Sequence, residues 1–265
     1  MDLLVPQTPF TSVAPSYDAV FSQRGQTEVQ RRRIQAAMLR EWTPGARILD
    51  LGCGTGEDIR FLAQQGFTVT GIDPAIGMLE VAQSKLNRSS LHAELLCLGA
   101  EDLAVFPTAS FTGVLSNFGA ANTVPDFSEM LSQCARILRP SGSAIFCLLS
   151  RWCAWETGGF LLRGNVRQGF RRLHPNPVMV RVGNGLVPTY YRTLHTVRRL
   201  AKPWFDIAEV FGLSVVAPPP SWEGFIARHP RLASKLARFD LKAGAMPGTR
   251  AIGDHFVVVL RKRIT

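Results

Sequence analysis

Residues 48–63 read ILDLGCGTGEDIRFLA: an apolar run, three glycines at alternate positions, then the start of a helix. A chain that turns this sharply from strand to helix is building a strand–turn–helix unit, and the unit recurs downstream. ARILDLG (46–52), FTVTGID (67–73), AELLCL (93–98), FTGVLSNF (111–118) and SAIFCLLS (143–150) read as five strands, with a turn at Ser141-Gly142 before the last. Helical spacing fills the gaps: 27–42, with Ile34, Met38 and Trp42 four apart, a helix carrying Ile59, Leu62 and Ala63 that Gly66 stops, then 75–86 and 126–138. Most of the strands are apolar throughout, not alternating, so both faces need cover. The expectation is an α/β fold: a doubly wound, mostly parallel sheet with helices on both faces. Ligands of such sheets bind at the carboxyl ends of the strands, where strand order reverses.

Past Ser150 the alternation breaks. Residues 151–195 are expected to form a cap inserted between the fifth and sixth strands, with a hairpin about Gly183-Asn184-Gly185 whose Pro188 marks an edge strand. A helix over 194–211, a strand in LSVVAP (213–218), a helix over 222–240 and a last strand in DHFVVVLRKR (254–263) complete the expectation. One domain of 265 residues results. It has an N-terminal arm and helix (1–42), a ligand-binding core (43–150), the cap (151–195) and the return to the sheet (196–265). The arm, to residue 25, reads as irregular, and Arg31, Arg32 and Arg33 read as mostly outward.

No run approaches the roughly 18 apolar residues of a membrane span, and the five cysteines form no CxxC pair. A soluble, cytoplasmic protein with reduced thiols and no metal site is expected. Charge is uneven. Residues 1–150 hold 11 Lys and Arg against 14 Asp and Glu; residues 151–265 hold 19 against 6. The second part therefore attracts anions, whether phosphates, carboxylates or acidic lipid heads, although a solubilising arginine-rich surface would look the same.

The glycine turn narrows the ligand. A dinucleotide fingerprint, GxGxxG, needs glycine where Glu57 stands, which argues against a nicotinamide oxidoreductase; a P-loop needs a lysine that is absent. Asp50 closes the strand, and a carboxylate there needs a donor that a cationic ligand would supply. Glu57 and Asp58 suit a first helical turn on dipole grounds alone. In GIDPAIGML, Asp73 ends the second strand, where an acid commonly accepts ribose hydroxyls; it also suits a helix cap, with Pro74 at the first helical position.

ILDLGCGTG, GIDPAIGML and ILRPSG together resemble the motifs of class I S-adenosylmethionine-dependent methyltransferases of the small-molecule, type 11-like kind, over residues 15–150. The resemblance implies a Rossmann-like sheet and S-adenosylmethionine as cofactor. It implies cofactor roles for Asp50, Gly52, Cys53, Gly54 and Gly56, with Asp73 on the ribose and Met78 against adenine. Pro74, Ala100, Glu101 and Asn117 complete the set, and Tyr17 of SYDAVF would close over it. Two positions depart from the pattern. Gly99 replaces the acid expected near the adenine amino group, leaving Glu101, Asp102 or backbone groups for that role. Thr112 replaces the acid of the usual SFD.

Methyl transfer needs alignment of nucleophile, methyl and sulfur, and a base only if the acceptor loses a proton. The candidate catalytic bases are His195, Tyr191 and Glu156; His255, inside the last strand, reads as structural. SNFGAANT lacks the N/D-P-P-Y/F run of base-amino methylation and the cysteine of pyrimidine carbon-5 methylation, which lowers nucleic acid as acceptor. A small or lipid-like acceptor is expected, roofed by the arm and by Trp152, Trp155, Phe160, Tyr190 and Tyr191 of the cap, with Arg163, Arg167, Arg171 and Arg172 adding positive charge. Residues 160–173 could touch an anionic membrane. RNA methylation through the basic half, and a cofactor- or partner-binding protein without catalysis, are the alternatives. Nothing in the sequence sets the oligomeric state.

Overall fold

A computed structural model describes residues 8–22 and 25–264. The core runs β1 (Arg47–Leu51), α3 (Glu57–Gln64), β2 (Thr68–Ile72), α4 (Ile76–Arg88), β3 (Glu94–Leu96), β4 (Phe111–Ser116), α5 (Phe127–Ile137) and β5 (Leu138–Leu149), after helices α1 (Pro9–Tyr17) and α2 (Gly25–Glu41). The cap holds α6 (Ala154–Leu162), α7 (Val166–Gly169) and the hairpin β6 (Val178–Val182) and β7 (Gly185–Thr189). The return is α8 (Leu194–Ala201), β8 (Phe205–Leu213), α9 (Glu223–Arg228), α10 (Pro230–Ala245) and β9 (His255–Lys262).

Seven strands form one sheet in the order β3-β2-β1-β4-β5-β9-β8. The first five are parallel; β9 runs antiparallel between β5 and β8. One apolar core lies on each face. Leu49, Val114, Phe146 and Val258 face α5 and α8. Ile48, Leu115, Ile145 and Val257 face α2, α3 and α4. This is the expected doubly wound architecture, and strand order reverses between β1 and β4. No helix among the described residues is long and apolar enough to cross a membrane.

Five local expectations are corrected. The arm is not irregular over its described part: α1 packs Phe10, Val13, Ala14 and Tyr17 on Ala75, Met78 and Val81, and a π-turn follows over Asp18–Ser22. Arg31 and Arg33 point inward, with side chains 13% and 18% exposed against 73% for Arg32. The helix expected over 194–211 ends at Ala201, because Pro203 cannot continue it, and the strand is 205–213, paired with β9. LSVVAP instead leaves the sheet at Ser214 (φ 50°), where the Asp240 carboxylate accepts the backbone N–H groups of Ser214, Val216 and Ala217. The helix expected over 222–240 is two, divided before Pro230, which starts α10.

The cap is anchored by one buried cation. Arg172 donates to the Glu156 and Asp254 carboxylates at 2.7 Å each and to the carbonyls of Ser150 and Asp254 at 3.1 Å. Burial works against the charge on Asp254, but His255 and Arg172 hold the group far below the usual carboxylate range. Its stabilising contribution is therefore full above the unfolded value of about 4 and is lost only as pH falls through the depressed value. Arg172→Met would leave the buried Asp254 with His255 and the half-buried Glu156 with Arg171, each one cation short, at a cost of about 3 kcal/mol. The denaturation midpoint of Arg172→Met should fall well below that of Glu156→Gln, which keeps a neutral partner in place.

Candidate functional site

The carboxyl ends of β1 and β4, at the reversal of strand order, open into a cavity of about 540 Å³. Its floor is the glycine turn. Gly54 takes φ 53° with nothing within 4 Å of where its side chain would be, so a ligand can lie on bare backbone. Gly56 has another reason to be glycine and does not line the cavity. It caps α3 at φ 77°, and a Cβ there would come within 2.8 Å of Ala82 Cβ on α4. The expected ligand role of Gly56 is thus replaced by close packing of two helices.

Asp50 is buried at the cavity edge and accepts no hydrogen bond from the described residues. Burial, then the nearby Asp58 carboxylate, push its pKa well above the usual range, against the pull of Arg31. Asp58 is itself buried. Its Oδ2 takes Asn117 Nδ2 at 2.8 Å and the Arg31 guanidinium, while its Oδ1 is buried without a partner. Two carboxylates and an orphaned oxygen thus lie beside a single guanidinium, an arrangement with room for one more cation.

Asp73 uses one oxygen for Gly54 N and the other for Ala75 N, both at 2.9 Å. Burial raises its pKa while these two N–H groups oppose the rise. Each oxygen keeps a lone pair that can accept a hydroxyl. Pro74, Met78, Ala100 and Glu101 line the same cavity. At Gly99, any side chain would overlap the Glu101 carboxylate. Glu101 therefore occupies the space that an acid at position 99 would fill, and Asp102 instead accepts Gly99 N at 2.7 Å.

Tyr17, Phe21 and Phe118 form a wall of rings, with centroids 5.4 Å and 5.6 Å apart in succession and Arg31 stacked 4.7 Å from the Phe118 ring. Burial pushes Tyr17 up to about 12, so its phenol stays neutral. Tyr17, Asp50, Gly52, Cys53, Gly54, Asp73, Pro74, Met78, Ala100, Glu101 and Asn117 are thus brought together. The lining residues outside the expected set include Arg31, Asp58, Phe21 and Phe118. For Arg31 a signal existed. It stands three residues before Ile34 and seven before Met38, on the buried face of α2.

The three expected bases do not reach the cavity. His195 is exposed on α8. Tyr191 lies under the Arg172 guanidinium, 5.0 Å from its ring centroid. Glu156 is half-buried, and although burial opposes it, hydrogen bonds from Arg172 and Arg171 hold it below its usual range, so it is a poor proton acceptor. The cap aromatics do not roof the cavity either. Trp155 donates to Val216 O at 2.9 Å and packs on Trp222 and Phe225 of the return segment. Trp155 thereby joins α6 to α9, while Trp152 is exposed and Phe160, Tyr190 and Tyr191 lie against Arg171, Arg192 and Arg172.

A family model described as a methyltransferase domain matches residues 48–142. A ubiquinone biosynthesis O-methyltransferase of Xanthomonas oryzae pv. oryzae is 36% identical over 107 residues, 40% of this chain and 44% of that protein. A demethylmenaquinone methyltransferase of Tropheryma whipplei is 33% identical over 141 residues, 53% of this chain and 57% of the other. The chain spans about half the length of these relatives. Over 89% of the chain, the fold matches the whole of a solved S-adenosylmethionine-dependent methyltransferase from Listeria monocytogenes, with TM-score 0.62 and 20% identity. The sheet order, the glycine turn and these likenesses agree: residues 48–142 match a methyltransferase domain, on a fold shared with solved S-adenosylmethionine-dependent methyltransferases.

Proposed function

We propose that the protein binds S-adenosylmethionine in this cavity and transfers its methyl group to an O, N or C atom of a small organic or lipid-like acceptor. The observation that carries the reading is the pairing of Asp50, without a donor, and Asp58, with an orphaned oxygen, at the glycine turn. The cofactor, when bound, supplies an electrophilic methyl on sulfonium together with an ammonium, a carboxylate and a ribose.

Each of those groups has a partner of matching chemistry in this chain. Asp50 and Asp58 suit the ammonium, and the Arg31 guanidinium suits the carboxylate. Asp73 has lone pairs left for the ribose hydroxyls. Pro74 and Met78 supply apolar surface for adenine, and Glu101 an acceptor for its amino group. Tyr17, Phe21 and Phe118 exclude water, so that nucleophile, methyl and sulfur can be held in line. Such positioning can supply on the order of 7–11 kcal/mol of the barrier.

The acceptor class is supported by relatives named for ubiquinone biosynthesis and demethylmenaquinone. Incubation with methyl-labelled S-adenosylmethionine and a panel of hydroxylated aromatic compounds, with and without an isoprenoid tail, tests it. Label should pass to a small molecule with one S-adenosylhomocysteine formed per transfer. Label passing only to RNA would replace the acceptor assignment, and binding without transfer to any acceptor would favour a non-catalytic role.

A further inference from the structure

We infer that the tip of the cap, residues 161–170, seats the protein on an anionic lipid bilayer. Helix α6 ends at Leu162, Gly164 turns the chain, and α7 begins at Val166. The turn leaves Leu162 88% and Val166 59% exposed, with Leu161 and Phe170 also exposed beside them. Single apolar side chains are ordinary on a surface, but four around one turn form a patch.

The charges at this tip match an anionic partner. Arg163 and Arg167 are exposed and, among the described residues, have no carboxylate partner. Arg171 and Arg172 differ, because Glu156 neutralises them from the inner side. Nine Lys and Arg residues and no Asp or Glu occur between Glu156 and Asp206. Arg163 also stacks 5.6 Å from the Trp222 ring, which joins the tip to α9 and α10. Residues 224–239 there add Arg228, Arg231, Lys235 and Arg238, again without an acid.

A basic surface alone would suit RNA equally. The aliphatic side chains decide for lipid. Leu162 and Val166 gain by entering the boundary between headgroups and acyl chains, and would gain nothing from a phosphodiester backbone. None of these residues lines the cavity, so the docking stands apart from the donor site and from the transferase reading.

Sedimentation of the full chain with phosphatidylcholine vesicles, with and without phosphatidylglycerol, tests the inference. The protein should partition onto the mixed vesicles, lose that binding as salt rises, and bind phosphatidylcholine alone weakly. Arg163→Gln with Arg167→Gln should weaken partitioning roughly 30-fold, at about fivefold per arginine near an anionic surface. Leu162→Ser with Val166→Ser should weaken it by at least about tenfold. All four positions are exposed, so unfolding temperature and S-adenosylhomocysteine affinity should stay at parental values. Equal binding to both vesicle types, no binding to either, or variants that partition like the parent would overturn the inference. So would a dimer held together by the tip, or RNA binding without vesicle binding.

Discussion

Asp50→Asn is expected to lower affinity for S-adenosylhomocysteine on the order of 100-fold and at the same time to raise the unfolding temperature of the ligand-free protein. Both effects have one origin. Asp50 is buried next to Asp58 without a hydrogen-bond donor from the described residues, so the ionised carboxylate is poorly solvated until a cation arrives. Removing a charge that a buried ligand cation pairs with costs several kcal/mol of binding. Removing the same charge from the empty fold relieves desolvation and repulsion. The pH dependence has a defined sign. The folded group has a raised pKa while the unfolded one sits near about 3.9. Asp50 therefore penalises folding increasingly as pH rises through that interval. The stability advantage of Asp50→Asn is full at pH values above the raised pKa and shrinks as pH falls towards about 4. Titration calorimetry and thermal unfolding across pH measure the two halves. An asparagine variant that is both weaker in binding and less stable would show instead that Asp50 braces the turn.

Asp73→Ala is expected to weaken binding by at least about 100-fold, but to destabilise the protein. Two hydrogen bonds from ribose hydroxyls to a charged acceptor are each worth about 1.5–3 kcal/mol. The same carboxylate holds Gly54 N and Ala75 N at 2.9 Å, tying the glycine turn to the start of α4. Losing these bonds exposes two partly buried N–H groups and should lower stability by about 1–3 kcal/mol. Asp73→Asn keeps an acceptor and should recover part of the stability but less of the affinity. The two aspartates thus separate by the sign of their stability change, although both serve one ligand.

The parallel core was legible because each strand carries its own signal. Continuous apolar runs such as ILDL and AIFCLL, punctuated by glycine, place β1 and β5 without tertiary information. The cofactor end was legible for the same reason, since its residues sit at strand ends that motif spacing marks. The return to the sheet was less so. Phe205–Leu213 mixes acids and small residues because β8 is an edge strand, and only pairing with β9 identifies it. Asp58 was explained by the helix dipole, a local effect that hid its burial under Arg31. His195, Tyr191 and Glu156 do not line the cavity for a related reason. Chemistry and position along the chain mark them as bases, whereas reaching the cavity depends on how the cap packs. Trp155 and Arg172 pack onto the far end of the chain, while Tyr190 and Arg192 bond to the main chain of residues 121–124, a segment of the cavity wall, without lining the cavity themselves.

The central claim is that the acids at the glycine turn receive the ammonium of S-adenosylmethionine. Calorimetric titration with S-adenosylhomocysteine and with its analogue lacking the α-amino group tests it most directly. S-Adenosylhomocysteine should bind, and the deaminated analogue should bind on the order of 100-fold more weakly, because it leaves Asp50 without a donor and the Asp58 Oδ1 without a partner. Equal affinity for the two ligands would contradict the claim.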